Sequence, residues 1–399
     1  MSEVRRILEA ELAHGLFTRG AQVTATVDGA PRVAISIGDD GTGAPITPET
    51  VFRVYCTIKP LTAVAVALEV EAGRLDLGEP LDRRLPEVRA VAGGQVTLQH
   101  VLNHTAGLHR PMALEVELIP TARRSAHLNA VRPPPGWPIG RRAAYSELFG
   151  WHLLGRLLEQ VGEQPLREHL RQSVIEPLGL TSTWIGMTPD EHAEVLPRLG
   201  VNIDMKTNKA FPMLLERGER MCTEVNPAHG GYTTADDLAR FYDLLLAQLA
   251  GAAHPGLPSA DTLGLFTSSV GGRRFDEVLA RECEYGLGFM TDLSSHAFGR
   301  WCSASSFGHS GNVGASFAFG DPALGLAVGV IFNGLVDHES AFVRRPALVR
   351  AIYDDVAAAT ARASGQDGDG HDRDEQDGEE AADPQPRSRR LRWRRASTS

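Results

Sequence analysis

A cysteine and a lysine stand three residues apart in the stretch Tyr55-Cys56-Thr57-Ile58-Lys59-Pro60. From Thr57 to about Ala72, apolar residues recur at steps of three or four (Ile58, Leu61, Ala65, Leu68, Ala72), which is the period of an amphipathic helix. Pro60 suits the first turn of that helix, where a missing N–H costs little. The spacing therefore predicts Cys56 at a helix N-terminus, with Lys59 one turn on and on the same face. The positive helix end and a nearby ammonium both stabilise a thiolate, so the pair could be an activated nucleophile beside its base. By spacing alone, C-x-x-K fits a buried cysteine with a snorkelling lysine equally well. Lysine usage adds weight to the first reading. Of 40 basic residues three are lysines, Lys59, Lys206 and Lys209. Where a chain otherwise built on arginine uses lysine, the position can require a cation that gives up its proton.

The elements that must hold these residues come from the rest of the chain. Of its 399 residues 42% are hydrophobic, enough for a large core and one or two domains. The formal net charge of -10 is opposite to the basic excess of most nucleic-acid binders. No stretch approaches 18 unbroken apolar residues, so no membrane span is expected. The first residues, MSEVRRILEAELAHGLF, read as an amphipathic helix over 3–18 with acids inside it, unlike a secretory signal. A cytoplasmic location follows as the expectation. The four cysteines contain no C-x-x-C pair and no ligand-spaced histidine, so reduced thiols are expected and no metal or cofactor.

QVTATVDG and RVAISIG alternate apolar with polar across an Asp-Gly turn and predict a hairpin. Long helices are expected near 144–162 and 233–250, strands in GASFAFG and LAVGVIFN, and a final helix over about 339–362. Strands at both ends with helices between predict an α+β domain over 1–363. Its sheet comes from about 1–80 and 280–363, and the helical insertion from about 81–280. Residues 364–399 are acidic and then basic without periodicity, and read as a disordered charged tail. A tether for an acidic partner is the sharper alternative.

Several blocks together resemble a known superfamily. V-F-R-V-Y-C-T-I-K-P-L-T-A (51–63) followed by L-E-V-E-A-G-R-L-D-L-G-E-P-L resembles the S-x-x-K region of the serine β-lactamases and penicillin-binding proteins. The likeness is to the class C and esterase branch. V-T-L-Q-H-V-L-N-H-T-A-G-L (96–108), P-P-G-W-P-I-G-R-R-A-A-Y-S-E (134–147), G-G-Y-T-T-A-D-D-L-A-R-F (230–241) and F-G-H-S-G (307–311) follow in the family's order. The resemblance covers about residues 5–355. Two positions depart from it: Cys56 replaces the nucleophilic serine, and Glu147 replaces the asparagine of Y-x-N.

The resemblance implies an antiparallel sheet flanked by helices plus a helical subdomain, and a mechanism carried by named residues. Cys56 would form an acyl-enzyme. Lys59 and Tyr145 would handle protons, with Tyr145 a general base whose pKa the ammonium lowers. The backbone N–H groups of Cys56 and Asn312 would form an oxyanion hole. His309 would line the opposite wall, with Ser310 and Gly311 beside it on the substrate side. A carboxylate at Glu147 would pair with Lys59, or else bind an amine on the acceptor. His104, His229, Asp236 and Asp237 are expected to be structural. A thioester reacts readily with amines and slowly with water, so the cysteine points to a transacylase of specialised metabolism, with a cytoplasmic setting and antibiotic biosynthesis as its context. Its donor would be a small-molecule or carrier-bound acyl group and its acceptor an amine or alcohol. An esterase or amidase, a classical β-lactamase, and a non-catalytic binding scaffold remain as alternatives.

Overall fold

Residues 20–38 pair as their alternation requires. In the computed structural model, which describes residues 2–15, 18–86, 95–109, 132–206 and 210–363, strand β1 (Gly20–Val27) and strand β2 (Ala30–Gly38) form the hairpin. The turn is Asp28-Gly29, both at positive φ, as a tight two-residue hairpin demands. Ahead of it lies helix α1 (Glu3–His14), shorter than the 3–18 expected from the sequence. Gly15 adopts φ 63° and returns its N–H to the carbonyls of Glu11 and Leu12, which closes the helix there.

The chain's far end completes the sheet. Strands β3 (Met290–Thr291), β4 (Phe307–Gly311), β5 (Ser316–Asp321) and β6 (Leu326–Phe332) join the hairpin in the order β3-β4-β5-β6-β1-β2, antiparallel throughout. Val23 therefore faces Val330 on one side and Ile35 on the other. Strands β5 and β6 are buried along their whole length because both faces are covered. Phe317, Phe319, Val328 and Val330 pack with α1 and the closing helix α5 (His338–Ala363). Ala318, Ala327 and Ile331 point the other way, toward helix α4 (Ala235–Leu249) and the helical core. That core also holds α2 (Lys59–Glu71), buried nearly all round, and α3 (Phe149–Gly162).

Residues 1–360 group as one compact unit. The charged tail over 364–399 lies outside the described residues, as does Lys209. Among the described residues no helix is long and apolar enough to cross a membrane.

Candidate active site

Cys56 stands on a single 3₁₀ turn, Tyr55–Ile58, that runs directly into α2. Of the four thiols it is the partly accessible one. Cys222, Cys283 and Cys302 are buried, and burial pushes their pKa values up to about 11, 12 and 12. Lys59 is fully buried at the first position of α2. Its Nζ donates to Cys56 Sγ at 3.1 Å, to the Glu147 carbonyl at 2.8 Å and to the Ala228 carbonyl at 2.6 Å. Two carbonyls can only accept, so they fix two N–H bonds of the amine. The third direction faces sulfur, and there the contact is either N⁺–H···S⁻ or N···H–S. One shared proton serves both groups. Burial lowers the lysine's pKa, while the sulfur beside it acts in the opposite sense.

The turn is held from below by a buried polar cluster. Tyr55, immediately before Cys56, sits at φ 51°, a left-handed conformation that costs a non-glycine residue about 1–3 kcal/mol. Its hydroxyl donates to both carboxylate oxygens of Glu216, at 2.8 and 2.9 Å. Arg53 pairs with the same carboxylate at 2.9 Å and reaches His229 Nδ1 at 3.0 Å. Asn202 Nδ2 adds a bond at 3.0 Å. Removing one side of a buried pair leaves an uncompensated charge and costs about 3–5 kcal/mol. Glu216→Ala is therefore expected to lower unfolding stability by that order, read by chemical denaturation, and to abolish the reactivity of Cys56.

Strand β4 closes against the same turn from above. A Cβ on Gly311 would lie 2.2 Å from the Val54 carbonyl oxygen, 2.6 Å from Ser316 Oγ and 2.9 Å from Thr57 Oγ1. Ser316 Oγ itself donates to the Val54 carbonyl at 2.6 Å and lies 2.8 Å from Thr57 Oγ1. Gly311 is thus required by close approach, and it brings Asn312 beside the Cys56 turn. Within that turn no carbonyl receives the Cys56 N–H, since the first bond runs from the Thr57 N–H to Val54. Gly311→Ala must push the strand away; we expect a loss on the order of 1–3 kcal/mol in thermal unfolding and a larger fall in activity.

The remaining residues expected at the site converge on it, with two corrections. Tyr145 is buried, and the sulfur of Cys56 acts electrostatically on its hydroxyl. Its pKa is raised, not lowered: loss of solvent is the main cause and the sulfur's negative charge adds to it. Tyr145 therefore stays protonated near neutrality. Glu147 meets Lys59 through its main-chain carbonyl, not its carboxylate. The half-buried side chain makes no hydrogen bond or ion pair among the described residues, although its charge is felt at both Lys59 and Tyr145.

His309 stands on β4 with its ring 6.0 Å from that of Tyr145. Its Nδ1 donates to the Ser310 carbonyl at 2.9 Å, which leaves Nε2 as a buried lone pair without a partner among the described residues. Burial, aided by Lys59, holds its pKa well below the usual imidazole range. Ser310 faces a cavity of about 330 Å³ lined also by Met290, Val313, Phe342 and Arg345.

The residues expected to be structural have structural partners. His104 Nδ1 accepts from the Ser146 N–H, and Asp237 accepts from Ser182 and Thr183. The sequence reading missed Ala228, Arg53, Glu216 and Asn202. A backbone carbonyl has no signature in a sequence, and Arg53 and Glu216 lie 163 positions apart.

Known proteins resemble this one along most of its length. The beta-lactamase family profile matches residues 8–352. A beta-lactamase of Lysobacter lactamgenus is 26% identical over 231 residues, 58% of this chain and 56% of that protein. The chain thus spans little more than half the length of the first curated relatives it matches. Esterase EstB of Burkholderia gladioli is 26% identical over 76% of this chain and 82% of its own. Monacolin J acid methylbutanoyltransferase of Aspergillus terreus is 28% identical over 34% of this chain and 38% of its own. A solved penicillin-binding-protein homologue from Caulobacter crescentus superposes with a TM-score of 0.72 at 26% identity, covering 88% of this chain and 96% of that one.

Proposed function

The chain belongs to the beta-lactamase family, and on that premise we propose that it is an acyltransferase working through a thioester on Cys56. The observation that carries this reading is the contact between a buried lysine and the one accessible thiol, at 3.1 Å, with the lysine's other two hydrogens fixed on carbonyls. Relatives that include an esterase and an acyltransferase support acyl chemistry of this kind.

In the first half-reaction the thiolate attacks the donor carbonyl, and the backbone N–H groups of Cys56 and Asn312 receive the charge on oxygen. The Tyr145 hydroxyl and Lys59 ammonium supply positive polarity at sulfur. As the C–X bond of the donor breaks, the leaving group departs with the Lys59 proton. The acyl group stays on Sγ and Lys59 becomes a neutral amine. An acceptor amine or alcohol then attacks the thioester and returns a proton to Lys59.

Hydrolysis is the second reading, favoured by the likeness to EstB over 82% of that enzyme. Intact-protein mass after brief exposure to activated acyl thioesters tests both, with Cys56→Ala as control. A mass gain absent from the variant is expected. Discharge faster with added amine than with water supports transfer, and discharge indifferent to amine supports hydrolysis. No adduct from any donor, together with a Cys56 inert to iodoacetamide, overturns both in favour of a binding scaffold.

A further inference from the structure

Near Cys56 the hydrogens of the buried lysine are already committed. Lys59 commits its three directions to Cys56 and to two carbonyls, and the Tyr145 hydroxyl stays protonated under the influence of the sulfur. Two acceptors stand unpaired there among the described residues. Among these residues the half-buried Glu147 carboxylate makes no hydrogen bond or ion pair, and the buried His309 Nε2 has no partner. Its tautomer is fixed by the Nδ1 bond to Ser310, so this nitrogen can only accept while the ring is neutral. Ser310 carries a hydroxyl and Asn312 an amide, which can donate or accept and so do not tip the balance. A half-buried carboxylate and a buried lone pair are best satisfied by a partner rich in hydrogens and positive in charge.

We propose that the acceptor is a primary amine that arrives protonated and docks on the Glu147 carboxylate. This rests on the acyl-enzyme reading above and names its substrate class. Glu147 is then the residue that selects amines over alcohols of the same shape. In the acyl-enzyme Lys59 is a neutral amine, and the docked ammonium passes one proton to it. The freed lone pair forms the C–N bond to the thioester carbon. The C–S bond breaks, and its electron pair returns to Sγ beside the regenerated Lys59 ammonium. The extra proton on the new nitrogen goes to His309 Nε2 and from there to solvent. A protonated nitrogen in a collapsing tetrahedral adduct is a strong acid, so the weakly basic His309 suffices. The product is an amide.

The test preloads Cys56 with a short acyl group and quantifies the adduct by mass. The acyl-enzyme is then divided between n-butylamine and n-butanol at a pH where the amine is protonated. The native protein is expected to favour the amine by about tenfold or more, the order of one partly screened charge contact. Glu147→Gln should bring the ratio of amide to ester per acyl-enzyme down about tenfold, and Glu147→Asp should restore part of it. A preference unchanged in Glu147→Gln, or butanol preferred by the native protein, overturns the assignment while the acyl-enzyme reading stands. Absence of any adduct on Cys56 removes both at once.

Discussion

Cys56→Ala is expected to lose acyl loading completely and turnover by about a thousandfold or more, since residues acting as a catalytic unit fail together. Stability should change little, because the side chain is partly accessible and the turn is held by Glu216, Gly311 and Ser316. Mass spectrometry and denaturation on the same preparation separate these two effects. Cys56→Ser is the more discriminating variant. It places the family's usual oxygen opposite Lys59 and converts the intermediate from a thioester to an ester. Esters react less readily with amines, so the ratio of amine capture to hydrolysis should fall. A ratio that does not move would mean that sulfur has no part in choosing the acceptor.

Lys59→Met should be nearly as damaging, about a thousandfold at neutral pH, with an added cost in stability. Methionine approximates the length of the buried stem but leaves the Glu147 and Ala228 carbonyls without a donor, a penalty of about 1–3 kcal/mol for each buried group. Because burial lowers the lysine's pKa, its proton becomes exchangeable closer to neutrality than on a solvated lysine. The donor's leaving group takes the Lys59 proton, so the native rate should fall on the alkaline side as Lys59 loses that proton, and this falling limb should be absent from Lys59→Met. Lys59→Arg keeps a positive charge but cannot release a proton, and its planar fork does not fit three acceptors arranged around one nitrogen. If arginine rescues the rate, Lys59 acts only as a charge and the shared proton is irrelevant.

Much of the fold was legible because its signals are local. The Asp-Gly hairpin, the period-3.6 run after Cys56 and the apolar strands 316–321 and 326–332 each carry their own pattern. Strand β4 was legible only as a motif, because Phe-Gly-His-Ser-Gly is too short and glycine-rich to read as a strand from propensity. At the site, residue types and their convergence were readable, but protonation and atom-level contacts were not. The behaviour of Tyr145 depends on how little water reaches it, and that of Glu147 on which of its oxygens faces Lys59. Both are set by packing across segments far apart in the chain.

The scarcity of lysine bears on self-modification. A thioester reacts with whatever amine it meets, and a protein carrying one is surrounded first by its own side chains. Arginine keeps its proton and does not compete as a nucleophile. Among the described residues Lys206 is the one lysine besides Lys59, so the folded surface offers an acyl group few places to stray. Lys59 itself is the amine nearest the sulfur. The carbonyls of Glu147 and Ala228 hold it in one orientation, so a proton can pass to it more readily than an acyl group can.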